Sequence, residues 1–325
     1  MTSSVELSWL LDGITMYGTF TRPDGPGPFP AVVMVAGSGP TDRDWNSPLL
    51  PGDNGSGRLL AELLADTGVA CLRFDKRASG PHVAENLPAL TGHLSMRSHL
   101  DELAAAVRVL AGQDAVDATR IGGLGNSEGC LHVLHYATSN QPIPLVGLLL
   151  AAPPGRAIGD LLLSQLAQQL GQLPDGEALL PLVQAAAARY TAGRPMDPDP
   201  ALPEPVRMVL ASFETPTNLP FARELWVEDA TDMLPRVHVP TLVVIGGKDL
   251  QVDARVDGRR LQEAAGGMSN VTFTFPASAN HVLKEEQRSI SDIAASGDVR
   301  YNAAGTRLDP ETADLIASWL HGVLV

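Results

Sequence analysis

The stretch Arg120-Ile121-Gly122-Gly123-Leu124-Gly125-Asn126-Ser127-Glu128-Gly129-Cys130-Leu131-His132-Val133-Leu134 decides how this chain is read. Its first part, Arg120 to Leu124, predicts a short strand, and its last part, from Cys130 onward, carries apolar residues at helical spacing. Between them lies Gly125-Asn126-Ser127-Glu128-Gly129, a Gly-x-Ser-x-Gly pentapeptide set at a strand-to-helix turn. The glycines have a steric reason there: on so sharp a turn, side chains two residues either side of the serine would collide with neighbouring backbone. The turn exposes the serine oxygen and aims the helix N-terminus at any negative charge that develops beside it.

Similar buried-strand runs recur on both sides of this turn. Ala31-Val32-Val33-Met34-Val35-Ala36, Val69 to Phe74, Leu145 to Ala151 and Thr241 to Ile245 are short and apolar, and a weaker run spans Val271 to Phe275. Helical spacing separates them in Leu59-Leu60-Leu63-Leu64, in Leu100-Leu103-Val107-Leu110, and in the last segment from Glu311 to Leu320. Strands alternating with helices predict an α/β fold with a mostly parallel central sheet covered on both faces. Before it, Val5 to Trp9 and Ile14 to Phe20 alternate apolar and polar around Asp12-Gly13, the signature of an antiparallel hairpin. The rhythm breaks between Pro153 and Arg236, where Leu161 to Leu170 and Leu179 to Ala188 are helical and a proline-laden section, Pro195 to Pro205, follows. The reading is a core domain of residues 1–152 and 237–325 with a helical cap, 153–236, inserted into it.

Composition narrows the function. Of 325 residues, 44% are hydrophobic, enough for a sizeable core and too many for a disordered chain. With 37 acidic against 23 basic side chains the net charge is −14, which repels phosphate backbones and anionic lipid, so no nucleic-acid or membrane partner is expected. Cys71 and Cys130 read as two buried thiols of a reducing compartment, and no Cys/His spacing suits zinc. The N-terminus lacks a basic, apolar leader pattern, and the longest apolar runs fall short of the ~20 residues that cross a bilayer. A soluble, cytoplasmic protein is the expectation; the sequence sets no oligomeric state.

Two further residues complete a constellation with Ser127. Asp249 follows the strand at Thr241 to Ile245, and His281 follows the strand at Val271 to Phe275. Each of the three thus stands beyond the carboxyl end of a strand, the edge where open α/β sheets place their active sites. The other histidines have plainer settings: His132 and His135 on the helix after the serine, His238 before a strand, His321 at the end of the last helix, and His82, His93 and His99 between a strand and the next helix. The structural alternatives for Ser127 and Asp249 are a helix cap and a turn residue. A dinucleotide-binding reading fails, because Gly123 to Gly129 is one residue too long for that fingerprint and no acid follows about twenty residues on.

The order Ser…Asp…His, with the pentapeptide, resembles the α/β-hydrolase superfamily, and the resemblance covers nearly the whole chain outside the cap. Gly37-Ser38-Gly39-Pro40-Thr41-Asp42-Arg43-Asp44, after the third strand, and Arg73-Phe74-Asp75-Lys76-Arg77, after the next, resemble a bacterial carboxylesterase group within it. The resemblance implies an α/β-hydrolase fold and a serine hydrolase acting on carboxylic esters through an acyl-serine, with Ser127, Asp249 and His281 catalytic. It further implies an oxyanion hole made of the backbone N–H groups of Glu128 and Ser38. The superfamily more often opens that loop with His-Gly, where this chain has Ala36-Gly37. Asp42, Arg43 and Asp44 would brace the loop. Glu128 is an awkward neighbour for an oxyanion, and Arg43, Lys76 or Arg77 would neutralise it; the alternative is a solvated first-turn glutamate. No metal or organic cofactor is called for. The partner expected is a small-molecule ester, and Met208, Phe213, Phe221 and Trp226 suggest an apolar lid over a small or medium acyl group or simply the packing of the cap. Thioester cleavage, acyl transfer, peptidase action and a catalytically silent binding role on the same scaffold remain the alternatives.

Overall fold

The alternation around Asp12-Gly13 folds as a hairpin. In the computed structural model, which describes residues 2–325, β1 (Thr2–Leu11) and β2 (Ile14–Pro23) pair antiparallel with Leu11 opposite Ile14. Both turn residues have positive φ, 50° and 82°, the backbone twist a two-residue hairpin needs. The apolar runs form β3 (Phe29–Val35), β4 (Ala70–Phe74), β5 (Val116–Asn126), β6 (Leu148–Ala151), β7 (Thr241–Val244) and β8 (Val271–Thr274). The sheet order is β1-β2-β4-β3-β5-β6-β7-β8; β2 meets β4 antiparallel, and every later pairing is parallel. Two boundaries differ from the sequence reading. β5 begins earlier, because Val116 already pairs with Phe29 across a register shift. β6 begins later, at Leu148, where it gains a partner on each side, Gly123 and Thr241.

The helices are α1 (Ser56–Asp66), α2 (Val83–Leu90), α3 (Met96–Ala111), α4 (Glu128–Thr138), α5 (Ile158–Leu170), α6 (Gly176–Thr191), α7 (Glu204–Ser212), α8 (Phe221–Leu225), α9 (Asp257–Ala265), α10 (Ile290–Ser296) and α11 (Pro310–Leu324). The pleat of β3 sorts its side chains between two cores. Ala31, Val33 and Val35 pack with Leu103, Val107 and Leu110 of α3 and Leu131 and Leu134 of α4. Val32 and Met34 pack with Leu60 and Leu64 of α1 and Ile316 and Leu320 of α11 on the opposite face.

Between β6 and β7 the chain holds α5 to α8, and these build a cluster of their own from Leu166, Val183, Ala187, Tyr190, Leu210 and Trp226. The proline-laden section ends in α7, with Pro203 at its cap and Pro205 in its first turn, positions that need no amide proton. The α5–α8 segment is tied to the sheet domain both by apolar packing, Leu161, Phe221 and Leu225 joining the core under β3, and by hydrogen bonds: Phe221 N donates to Leu94 O at 2.8 Å, Met96 N to Glu224 at 2.6 Å, and Arg156 forks onto the fully buried Asp257 at 2.8 and 2.9 Å. One correction concerns α3. Ser95 caps it by a reciprocal pair of hydrogen bonds with Ser98, so it starts before Leu100 and takes His99 into its first turn instead of leaving it in a loop.

Because β3 to β8 run parallel, the loops after β3, β4, β5, β7 and β8 leave the sheet at one edge. Ser38, Lys76, Ser127, Asp249 and His281 stand on those five loops.

Candidate active site

Ser127 sits between the end of β5 and the start of α4 with φ 54° and ψ −122°, a left-handed conformation that costs a non-glycine residue about 1–3 kcal/mol. The surroundings over-determine it. Ser127 N donates to Ala151 O at 2.8 Å, and its own carbonyl accepts from Cys130 N at 2.9 Å. A Cβ at Gly125 would stand 2.5 Å from the Gly129 carbonyl group, and one at Gly129 only 2.4 Å from Val35 O, so neither position admits a side chain. Ser127 is half-buried between fully buried Asn126 and Glu128. Its hydroxyl makes no hydrogen bond among the described residues; what draws the His281 loop to the turn is Asn126, whose Nδ2 donates to the His281 carbonyl at 3.2 Å.

Asp249 and His281 are brought together by two zipped loops. Gly247 N donates to Pro276 O at 2.7 Å and Lys248 N to Ala279 O at 2.9 Å. Asp249 Oδ1 accepts from Gln251 N and Val252 N at 2.7 and 3.0 Å, and Oδ2 accepts from His281 Nδ1 at 2.8 Å. Both side chains are buried. A carboxylate in this arrangement only accepts, so Nδ1 carries the proton and Nε2 keeps a lone pair. No described residue partners that Nε2.

The loop after β3 passes directly against the serine: a Cβ on Gly37 would lie 3.3 Å from Ser127 Cβ. Of the three cations considered for Glu128, Lys76 is the one that reaches it. Lys76 Nζ donates to Gly37 O at 2.6 Å and to Glu128 Oε1 at 3.1 Å. Arg43 instead forks onto Asp75 and also reaches Glu6, and Arg77 pairs with Glu102 at 2.8 Å and with Asp12 at 3.3 Å. Glu128 is 2% exposed, which removes the solvated alternative. Burial by itself raises its pKa, but the Lys76 charge and the His132 hydrogen bond outweigh that and hold the carboxyl well below the usual range. Asp42 folds the loop on itself, accepting from Asp44 N and Asn46 N at 2.8 and 2.9 Å, while Asp44 pairs with the buried Arg73. The charge pairs of the brace therefore run to Glu6, to Arg73 of β4 and to Asp75 after it, while Asp42 folds the loop by accepting from backbone amides.

Beside the turn lies a cavity of about 470 Å³. Ser38, Lys76 and Glu128 form part of its wall, Leu94, Phe221 and Leu225 part of the other side; Ser127 and His281 are not in the wall. The sequence named four apolar residues for this role. Phe213 and Phe221 do line the cavity, whereas Trp226 is buried in the α5–α8 cluster and Met208 is exposed.

Two histidines given plain structural settings belong here as well. His132 Nε2 bonds Glu128 Oε1 at 3.1 Å, and burial lowers the His132 pKa to about 4, so it stands neutral. His99 lines the cavity, its Nδ1 3.1 Å from Glu102 Oε2, with its ring 4.7 Å from that of His132 and edge-on to Phe221 at 4.5 Å. Helical spacing held the signal, since Glu128–His132 is an i,i+4 pair and His99–Glu102 an i,i+3 pair.

Comparison with known proteins agrees with this architecture. A model of the Alpha/beta hydrolase family matches residues 32–285. Esterase EstD of Thermotoga maritima is 27% identical over 305 residues, or 93% of this chain, which spans 65% of that protein's length. Among solved structures, a proline iminopeptidase of Mycobacterium smegmatis has a TM-score of 0.56 at 18% identity, covering 98% of both chains. The esterase Pf2001 of Pyrococcus furiosus has a TM-score of 0.56 at 16% identity, covering 100% of this chain and 91% of its own. At such identities the structural likeness is one of fold.

Proposed function

This chain belongs to the alpha/beta hydrolase family, and we propose that it is a serine esterase of the carboxylesterase group whose loop reads Gly-Ser-Gly-Pro-x-Asp-Arg-Asp. The observation that carries the reading is the Asp249–His281 pair at 2.8 Å, with its free Nε2, tethered through Asn126 to a serine held in a strained turn. Ser127 attacks the acyl carbon while His281 Nε2 takes its proton. Asp249, its other oxygen saturated by two amides, fixes the imidazole tautomer and stabilises the imidazolium. The alcohol leaves with the proton from His281, and water, deprotonated by the same nitrogen, releases the acid from the acyl-serine. The chemistry calls for no cofactor.

The oxyanion would rest on two backbone N–H groups. Glu128 is the first residue of α4, so its N–H has no intrahelical partner and carries the positive end of the helix dipole. Ser38 N–H belongs to the peptide whose carbonyl, Gly37 O, is bound by Lys76. A trans peptide points its N–H opposite to its C=O, so anchoring the carbonyl aims the amide away from Lys76. Lys76 and His132 compensate the Glu128 carboxylate, which would otherwise oppose charge developing nearby.

The cavity of about 470 Å³ suits a small or medium acyl group, and the resemblance to Esterase EstD favours an ester. Cys71 and Cys130 are both buried and free, in keeping with a cytoplasmic setting; among the described residues no helix is long and apolar enough to cross a membrane. The test is a panel of p-nitrophenyl esters from acetate to decanoate, with thioesters and aminoacyl anilides alongside. Esters are expected to be cleaved best and Ser127→Ala to abolish turnover; a Ser127→Ala protein with full activity refutes the reading, and thioesters or anilides cleaved best would replace the bond assigned.

A further inference from the structure

Six ionisable side chains lie buried in one cluster beside the cavity: Lys76, Arg77, His99, Glu102, Glu128 and His132. Their charges cancel in two pairs, Lys76 with Glu128 at 3.1 Å and Arg77 with Glu102 at 2.8 Å. Bracing alone does not account for them, since apolar residues of similar volume hold elements together at lower desolvation cost. Three of the six, Lys76, His99 and Glu128, line the cavity, and the rest of its wall is largely apolar.

The atoms left over define what that polar corner binds. Glu102 is ionised, its pKa lowered to about 2 because His99 and Arg77 outweigh its burial. His99 Nδ1 therefore donates to it, and Nε2 is without a partner among the described residues, an acceptor whenever the ring is neutral. Glu128 spends Oε1 on Lys76 and His132; Oε2, likewise unpartnered among the described residues, is a second acceptor. Lys76 uses two of its three N–H bonds on Gly37 O and Glu128, leaving one to donate. Two acceptors and one donor complement a group that both donates and accepts and carries no charge. An ammonium would unbalance a cluster already neutral, and a carboxylate would face Glu128.

Resting on the esterase reading above, we infer that the cavity selects esters whose acyl chain carries a hydroxyl group, which donates to His99 Nε2 and accepts from Lys76 Nζ. His99 is then the specificity-determining residue, Glu128 holds Lys76 in place for it, and the apolar wall, with Phe221 edge-on to His99, packs the hydrocarbon part of the chain.

The test compares isosteric acyl pairs on one leaving group: p-nitrophenyl 3-hydroxybutanoate against 3-methylbutanoate, and 6-hydroxyhexanoate against heptanoate, with 3-aminobutanoate as the charged control. In at least one pair the hydroxy ester is expected to have a 10- to 100-fold higher kcat/KM. His99→Leu should bring that ratio to within threefold of one, and His99→Gln, whose amide oxygen can accept, should retain part of it. Ratios near one in both pairs for the wild-type enzyme, with the esters themselves cleaved, overturn the inference and leave the esterase reading standing; this comparison needs no variant. A ratio unchanged in folded His99→Leu, or the amino ester preferred over the hydroxy ester, overturns it too. A protein that cleaves none of these esters overturns the esterase reading and the inference with it.

Discussion

Lys76→Met is the most informative single perturbation, because one ammonium serves two jobs. At 3.1 Å from Glu128, with an effective dielectric of about 20, the two charges attract by about 5 kcal/mol before desolvation is subtracted. Methionine keeps the aliphatic stem and leaves the 2% exposed carboxylate without its cation; breaking such a buried pair typically costs about 3–5 kcal/mol of stability. The same change frees the Gly37 carbonyl from its 2.6 Å donor and with it the direction of Ser38 N–H. Loss of one oxyanion donor is worth about 2.7–4 kcal/mol, so kcat should fall roughly 10²- to 10³-fold, while KM moves by only a few fold because the donor acts on the transition state. Steady-state kinetics on a p-nitrophenyl ester and urea unfolding measure the two losses separately. Adding Glu128→Gln should recover much of the stability and little of the rate. A folded Lys76→Met enzyme with kcat within threefold of wild type refutes the reasoning.

Asp249→Asn can still accept from Gln251 N and Val252 N but presents an amide to His281 Nδ1, so kcat should drop by roughly 10⁴ with the fold intact by circular dichroism; a loss under tenfold contradicts the role given to Asp249. Gly129→Ala puts a Cβ 2.4 Å from Val35 O and should destabilise the protein severely, whereas Gly322→Ala, in α11 with nothing within 4 Å, should stabilise it by about 0.5–1 kcal/mol; thermal unfolding compares them. Acid should act in two steps. His132 binds its proton near pH 4 when folded and 6.5 when unfolded, so the unfolded chain holds more protons between those values and stability falls as pH drops from 6.5 to 4. Glu102, about 2 folded against 4.5 unfolded, stabilises above pH 4.5 and loses that contribution from there down toward 2. Each contribution is at most about 3 kcal/mol. Urea midpoints at pH 7, 5.5 and 4 follow the first step, and a His132→Gln protein with the same slope removes His132 as its cause.

The inner strands were legible because they are buried on both faces and read as nearly unbroken apolar runs, and the turn was legible because Gly125 and Gly129 meet backbone so closely that no side chain fits there. Asp249 and His281 were legible by position, each just past a strand end. Less visible were the parts set by long-range contacts. That Lys76, not Arg43 or Arg77, reaches Glu128 depends on how the loops after β4 and β5 meet, and no local pattern encodes it. His99 was misplaced because the Ser95–Ser98 cap lies ahead of the apolar spacing that marked the helix. Phe221 and Trp226 looked alike in sequence, yet one lines the cavity and the other fills the α5–α8 cluster, a difference decided by how that segment docks.

The central claim is that His281 activates the Ser127 hydroxyl. Intact-mass and peptide mapping after treatment with a fluorophosphonate measures this directly. One adduct per chain on the Ser127 peptide, forming at least 100-fold more slowly in folded His281→Gln, is the predicted result. Labelling of a different serine, or a rate at Ser127 that does not depend on His281, would contradict it.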